Sequence, residues 1–397
     1  QGLDWQSTIK TSNFTAVSGE AYFCNTSGGA FTATLPASPS AGAIVAFKDY
    51  APSFASYNLT IGRNSSNIQG SANDSVLSTN RASVVLVYID STKGWLFVQE
   101  SNVGNLVPTY ISATGGTITT SGDYKIHTFT GDGTFTVSSV GNSEGGGAGV
   151  SYMVIAGGGS GGSGGSSVTG GGGGAGGFRE GKNSGDPYSA SPLNAPAGLT
   201  VSASPGSYPI SVGGGAPAAS SGGDNAGNVG STSTFSTITS AGGGGGGANA
   251  ACGSAGGSGG GGKESDGVGH AGNTPPVSPP QGNPGGNGSE PGNFSGGGGG
   301  AGGPGGTGGP SVGGNGIASS ITGSPVTRAG GGGASGGAGG PGGGGASGSS
   351  PSWPTPAPTT GTSGTENTGG GGGSSPQAAN SGAGGKGVVI IRYKYQN

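Results

Sequence analysis

Residues 157–386 carry 84 of the chain's 104 glycines. A stretch so poor in side chains builds neither an α-helix nor an ordinary hydrophobic core. Glycine costs ~1 kcal/mol per helical position relative to alanine, and no amphipathic 3.6-residue period exceeds two turns anywhere in the chain. A flexible Gly/Ser linker is one reading of such composition. Local order in the sequence favours another. Residues 299–310 read GGAGGPGGTGGP, a strict three-residue period, and 330–347 repeat GGGGAS on either side of GGAGGP. Three residues per turn, rising ~3.1 Å per residue, is the polyproline-II period. A helix of that kind makes no internal hydrogen bonds, so its N–H and C=O groups must find neighbouring rods. Two glycines in three let backbones approach closely. The expectation is a polyglycine-II bundle over 157–386; collagen would need glycine at every third position without a break, and the run Gly242–Gly247 breaks that register.

The flanking sequence predicts an all-β fold with essentially no α-helix. Residues 1–100 read as a small β-domain with strands at 21–25, 31–35, 43–49, 57–62, 82–90 and 94–99, separated by Pro, Gly and Ser/Thr turns. The run Val84–Val87 predicts a strand buried on both faces. Residues 101–110, with Pro108, read as a linker. A glycine-rich domain follows over 111–397. Its framing strands lie within 115–156 and at 388–395, and together they predict a β-sandwich-like core with the glycine body inserted. Closing that body between two strands lowers the entropy cost of ordering it. Two hairpin-like pieces, 199–215 around a Pro-Gly turn and 233–243, are expected to anchor it further.

The chemistry available is sparse: 13 basic and 16 acidic residues, a net charge of −3, two cysteines and two histidines. A Cys/His metal site would consume all four of the latter. Without a basic excess no nucleic-acid footprint is expected, and no apolar run approaches the ~20 residues of a membrane span. Neither an enzyme, a cofactor nor a metal is predicted. Cys24 and Cys252 lie far apart, in regions of different composition, and nothing in their spacing suggests a disulfide. No signal peptide is visible. The start at Gln1, not Met, is expected of a processed or trimmed chain or of part of a longer one. Matches to G-x-G-x-x-G follow from composition alone, and the phosphate-loop spacing from Gly257 to Lys263 lacks its hydroxyl, since Glu264 follows.

The segments KIHTFTGDGTFTV, YMVIAGGGSGG, GGGGAGGFREG, GSYPISVGGG, STFSTITSAGGGGGG and GGKGVVIIRYKY, in that order, resemble the glycine-rich domain at the ends of bacteriophage tail-fibre and adhesin proteins. FTATLPASPSAGAIVAFKDY, NLTIGRNSSNIQG and SVVLVYIDSTKGWLFV are similar to a β-domain of phage tail fibres. The resemblance implies a virion fibre, made in the bacterial host cytoplasm and acting outside the cell. Its partners would be other virion tail proteins and a bacterial cell-surface receptor, a glycan or an outer-membrane protein. A homotrimer is the favoured assembly, and loops on a polyglycine-II scaffold would touch the receptor. A purely structural fibre or decoration protein is the alternative.

Glycine rods offer no side chains, so specificity must come from the segments joining them. Three interruptions stand out, at 183–197, 263–294 and 349–368. Trp353, flanked by Ser352 and Pro354, suits stacking on a sugar or filling a receptor pocket, and equally suits capping the bundle. Tyr188, Phe294 and His270 are further receptor-binding candidates; a solvated or backbone-bonded histidine, and not a catalytic one, is the other reading of His270. Phe178 is expected in the core, Arg179 and Glu180 as a local ion pair or solvated edge, and His127 as structural.

Overall fold

A computed structural model describes every residue except 1, 103–107, 143–144, 165–169, 249–251, 265–266, 291, 350–357, 377–378 and 397. It contains no α-helix among the described residues and divides into two compact units, Gln1–Val107 and Pro108–Asn397.

The first unit holds β1 (Asp4–Lys10), β2 (Phe14–Thr15), β3 (Glu20–Cys24), β4 (Phe31–Thr34), β5 (Ile44–Asp49), β6 (Leu59–Gly62), β7 (Ser75–Leu77), β8 (Ala82–Asp90) and β9 (Gly94–Asn102). One sheet has the order β1-β3-β5-β8-β9 and the other β2-β4-β6-β7. The first six strands alternate between the sheets and run parallel to their neighbours, so the chain winds as a coil. Parallel neighbours normally need a long crossover. Here the crossover is the strand in the opposite sheet, which keeps the links short. The last three strands then close the coil with antiparallel pairs. Phe47, Phe54, Leu59, Ile61, Leu86 and Trp95 fill the space between the sheets. Burial along β8 alternates, with Val84 and Leu86 inside and Val85 and Val87 half-buried on the outer face, so this strand is covered fully on one side only. Cys24 is buried and unpaired; burial pushes its thiol up to about 12, which leaves it inert.

The second unit contains β10 (Ser112–Thr114), β11 (Thr117–Ser121), β12 (Tyr124–Phe129), β13 (Gly133–Ser139), β14 (Gly149–Ile155), β15 (Phe178–Gly181), β16 (Asn194–Ala195), β17 (Leu199–Thr200), β18 (Ser207–Ser211), β19 (Ser233–Phe235), β20 (Ile238–Ser240), β21 (Ile317–Ser319), β22 (Val326–Arg328) and β23 (Val388–Lys394). A five-stranded sheet, β10-β13-β18-β19-β20, faces a seven-stranded one, β11-β12-β23-β14-β15-β16, with β17 also on β14. Between them lie Phe135, Val137, Tyr152, Val154, Ile210, Phe235, Val389 and Ile391. The other face of β14 and β23, carrying Met153, Ile155, Val388 and Ile390, packs with Ala175, Phe178, Tyr188, Ala301 and Ile321. These two strands are thus buried on both faces, as their continuous apolar runs predict. The 233–243 piece forms the β19–β20 hairpin. The 199–215 piece does not form one: β17 pairs with β14 while β18 pairs with β13 and β19, so its two arms belong to different sheets.

Ile155 stands opposite Val388 in the β14–β23 ladder, so the two ends of the glycine body leave the sheet side by side. Within the body, residues 170–177 show how the backbone is satisfied. Gly171, Gly174 and Gly177 donate to Gly247, Gly244 and Ala241; Gly172 and Ala175 to Gly296 and Gly299; Gly170, Gly173 and Gly176 to Ser375, Gly372 and Gly369. Their carbonyls accept from Gly159 and Gly162, from Ser258 and Gly261, and from Gly332. These bonds are 2.7–3.2 Å long, recur every three residues and engage six neighbouring segments. A Cβ on Gly172, Gly173 or Gly174 would collide with a neighbouring carbonyl, whereas Ala175 directs its methyl into the core behind the sheet.

Candidate functional site

Of the four residues expected to touch a receptor, Trp353 lies outside the described residues. Tyr188 is only 6 % exposed, so its ring cannot meet a partner. It packs behind the seven-stranded sheet, with the Lys182 ammonium 5.4 Å and the Arg392 guanidinium 5.5 Å from its ring centroid. The cause is the loop around it. Asp186 pairs with Arg392, and the Ser191 N–H donates to Glu180 at 2.9 Å, so 183–197 is clamped onto the fold and is not a free recognition loop.

Phe294 is 37 % exposed, its backbone bridged to Ser289 and its ring seated against Gly292 and Gly309. His270 is half-buried; its N–H donates to Gly260 and its carbonyl accepts from Gly285, and burial lowers its pKa. Much of 263–294 is therefore part of the hydrogen-bonded body, because NPGGNG has enough glycine to enter it. Three neighbouring segments there expose one side chain in every three: Val268, Ala271 and Thr274; Pro284, Asn287 and Glu290; Pro304, Thr307 and Pro310. Gly269 N–H to Asn287 Oδ1 (2.8 Å) and Asn287 N–H to Thr307 Oγ1 (3.3 Å) tie them together. Among the described residues Val268 is the most open of the large apolar ones, at 71 %.

Phe178 is in the core as expected. Arg179 and Glu180 are neither an ion pair nor a solvated edge. Glu180 is buried and also accepts from Ser319 Oγ at 2.6 Å, while Arg179 Nη1 donates to the Thr239 carbonyl at 3.4 Å. Strand alternation turns the two side chains to opposite faces. His127 is fully buried, stacked on Tyr393. Since a carbonyl only accepts, Nδ1 donates to Gly115 O (2.7 Å) and Nε2 accepts from Tyr393 Oη (3.0 Å). Burial lowers the His127 pKa and keeps this neutral tautomer.

A cavity of about 370 Å³, which no sequence motif marks, lies at the end of β12 and β23, bordered by the turn before β14 and by residues 183–186. Arg392 lines it and is 3 % exposed. Its Nε donates to both Asp186 oxygens (2.9 and 3.1 Å) and its Nη1 to the Ile321 carbonyl (3.3 Å). Asp186 also accepts from Ser151 Oγ at 2.9 Å. The Tyr124 ring covers the guanidinium at 4.5 Å, and its hydroxyl donates to Gly185 O at 2.9 Å; burial, with Asp186 nearby, raises its pKa. Lys394 stands opposite Tyr124 in the β12–β23 ladder and also lines the cavity, as do Asn183, Ser184 and the backbone of Gly145–Gly147. Tyr124 next to a cationic strand end was a readable feature, but Asp186 was not, because it arrives from 206 residues away.

Among the described residues no group of three or more His, Cys, Asp or Glu side chains is placed to hold a metal ion. No helix among them is long and apolar enough to cross a membrane. A family model for a glycine-rich domain matches residues 130–394, from β13's approach to the last residue of β23. No curated protein matches the chain.

Proposed function

The chain belongs to the glycine-rich domain family, and from that premise we propose that it is a non-catalytic virion tail-fibre protein that binds a bacterial surface receptor. The observation that carries this reading is the six-neighbour backbone network around 170–177. Such a network consumes the peptide groups internally and leaves recognition to side chains displayed at its surface, on a rigid support. We read it as a polyglycine-II bundle, on the strength of its three-residue period. The exposed, regularly spaced side chains of 268–310, with Phe294 at their margin, are the receptor-facing surface in this reading. The protein would act outside the cell with other virion tail proteins, as a homotrimer, through contacts to a glycan or an outer-membrane protein.

The test is competition. Purified chain is added to a panel of bacterial strains, and adsorption of phages to those strains is counted with and without it. Saturable binding to a strain, with blocked adsorption, is expected, and Phe294→Ala should weaken it at least tenfold while the melting temperature holds. Folded protein that binds no strain and blocks no phage would overturn the receptor reading in favour of a purely structural fibre or decoration part.

A further inference from the structure

We infer that the cavity at the end of β12 and β23 binds a carboxylate-bearing sugar unit, such as a uronic acid within an acidic polysaccharide. The choice of a saccharide rests on the receptor reading; the charge argument stands on the cavity alone. Arg392 and Lys394 are two residues apart on β23 and therefore point to the same face, roughly 7 Å apart along the strand. Tyr124, directly across from Lys394, shares that face. Arg392 is held by Asp186 through Nε and by Ile321 through Nη1, yet Nη2 has no hydrogen-bond partner among the described residues. A guanidinium held in place by two partners, with one donor left on a cavity wall, is a ready anion contact, because charge-assisted N–H bonds to a carboxylate are among the strong ones. Lys394 likewise makes no hydrogen bond or ion pair among the described residues.

The charge count selects the anion. Asp186 neutralises Arg392, and Lys394 leaves one net positive charge on the wall. One carboxylate matches that charge; a phosphate dianion exceeds it. The rest of the lining selects what carries the carboxylate. Tyr124 contributes an aromatic ring of the kind against which sugar rings pack, and Ser184 adds a hydroxyl that can donate or accept, whereas the Gly145 and Gly147 N–H groups are spent on Asn142 and the Asn183 amide on Gly149, so these residues offer acceptors. At about 370 Å³ the cavity falls in the ~300–1,000 Å³ range of small-molecule sites. Glycine at 146 and 147 suits this wall, since both have left-handed φ, at 94° and 72°.

The experiment is calorimetric titration of the full chain with uronic-acid trisaccharides of gluco, galacto and manno configuration, with maltotriose as the neutral control and acetate as the bare carboxylate. At least one acidic trisaccharide is expected to bind, at least tenfold more tightly than maltotriose and acetate, with affinity falling as salt rises. Lys394→Gln should reduce that affinity about tenfold without shifting the melting temperature. Failure of all three acidic sugars to bind overturns the inference, as does equal binding of maltotriose. Displacement by acetate at equal concentration overturns the sugar part, and unchanged affinity in Lys394→Gln overturns the charge argument. Cell adsorption separates this from the receptor reading. Blocked adsorption without sugar binding removes the cavity alone, and sugar binding without any cell binding removes the receptor reading alone.

Discussion

In residues 1–107 the interior is made of side chains: aromatic and aliphatic groups from two sheets meet and exclude water. In the glycine body the interior is made of peptide groups, each segment supplying donors and acceptors to its neighbours. The first kind of interior is stabilised by area removed from water, at roughly 25 cal/mol per Å² of apolar surface. The second gains little of that and depends on leaving no buried N–H or C=O unpaired, together with close contact of backbone atoms. The two respond oppositely to size. A hydrophobic core is damaged by making a residue smaller, and a backbone network by making one larger.

The sharpest way to break this contrast is Gly172→Ala. The added methyl would overlap the Gly332 carbonyl and force six interlocked segments apart. The expected loss in the second unit exceeds about 4 kcal/mol, beyond the usual range for one methyl group. Thermal melting followed by amide signals from both units should show the transition of 108–397 displaced and that of 1–107 unmoved; a loss under about 1 kcal/mol would break the claim of a close-packed backbone interior. The converse substitution is Leu59→Ala in the first unit, where a fully buried side chain is cut back. A loss of about 2–5 kcal/mol is expected, confined to the transition of 1–107 in the same experiment.

A smaller effect comes from His127, which lies between the two sheets of the second unit against Phe135 and Tyr393. Its folded pKa lies below the ordinary value, so between the two the unfolded state binds more protons. Stability of the second unit therefore holds above the ordinary histidine range and falls as pH drops below about 6.5. The slope from this group reaches at most about 1.4 kcal/mol per pH unit. His270, also lowered by burial, adds with the same sign. Denaturant midpoints between pH 7 and 5 should show the decline, and His127→Gln should make it shallower; a slope unchanged in that variant would assign the proton uptake elsewhere. The smallest effect is expected at Gly214, which is exposed, has no left-handed φ and has open space where a Cβ would sit. Gly214→Ala should raise stability by about 0.5 kcal/mol through the unfolded chain, read as a small upward shift in melting temperature. A large loss there would mean that mere glycine content, and not close approach, is what the body needs.

The two kinds of interior also differ in how far they can be read in advance. Strands with clear alternation or apolar runs, such as 82–90, 150–156 and 388–395, stand close to where the pattern puts them. β1 and β7 escape, because DWQSTIK offers only Trp5 and Ile9 with Ser7 between them and SVL is too short to show alternation; both are strands by pairing with β3 and β6. The parallel coil of the first unit was likewise hidden, since nothing in a short β-strand tells whether its neighbour will run with or against it. Tyr188 and Phe294 look alike in sequence, each an aromatic in a polar, proline-containing loop. What separates them is Asp186, two residues before Tyr188, whose pairing with Arg392 draws that loop inward.

Glycine content and a three-residue period, read from the chain alone, argued against helix and favoured a backbone network closed between two strands over a flexible linker. Which glycine segments became neighbours was left to the tertiary structure, because runs of glycine are interchangeable in every side-chain property. The side-by-side exits at Ile155 and Val388 and the contacts of the joining loops choose the arrangement. The cavity has the same origin. Tyr124, Asp186 and Arg392 carry no shared local pattern, and only the packing of β23 between β12 and β14, with the 183–197 clamp over it, makes them one site.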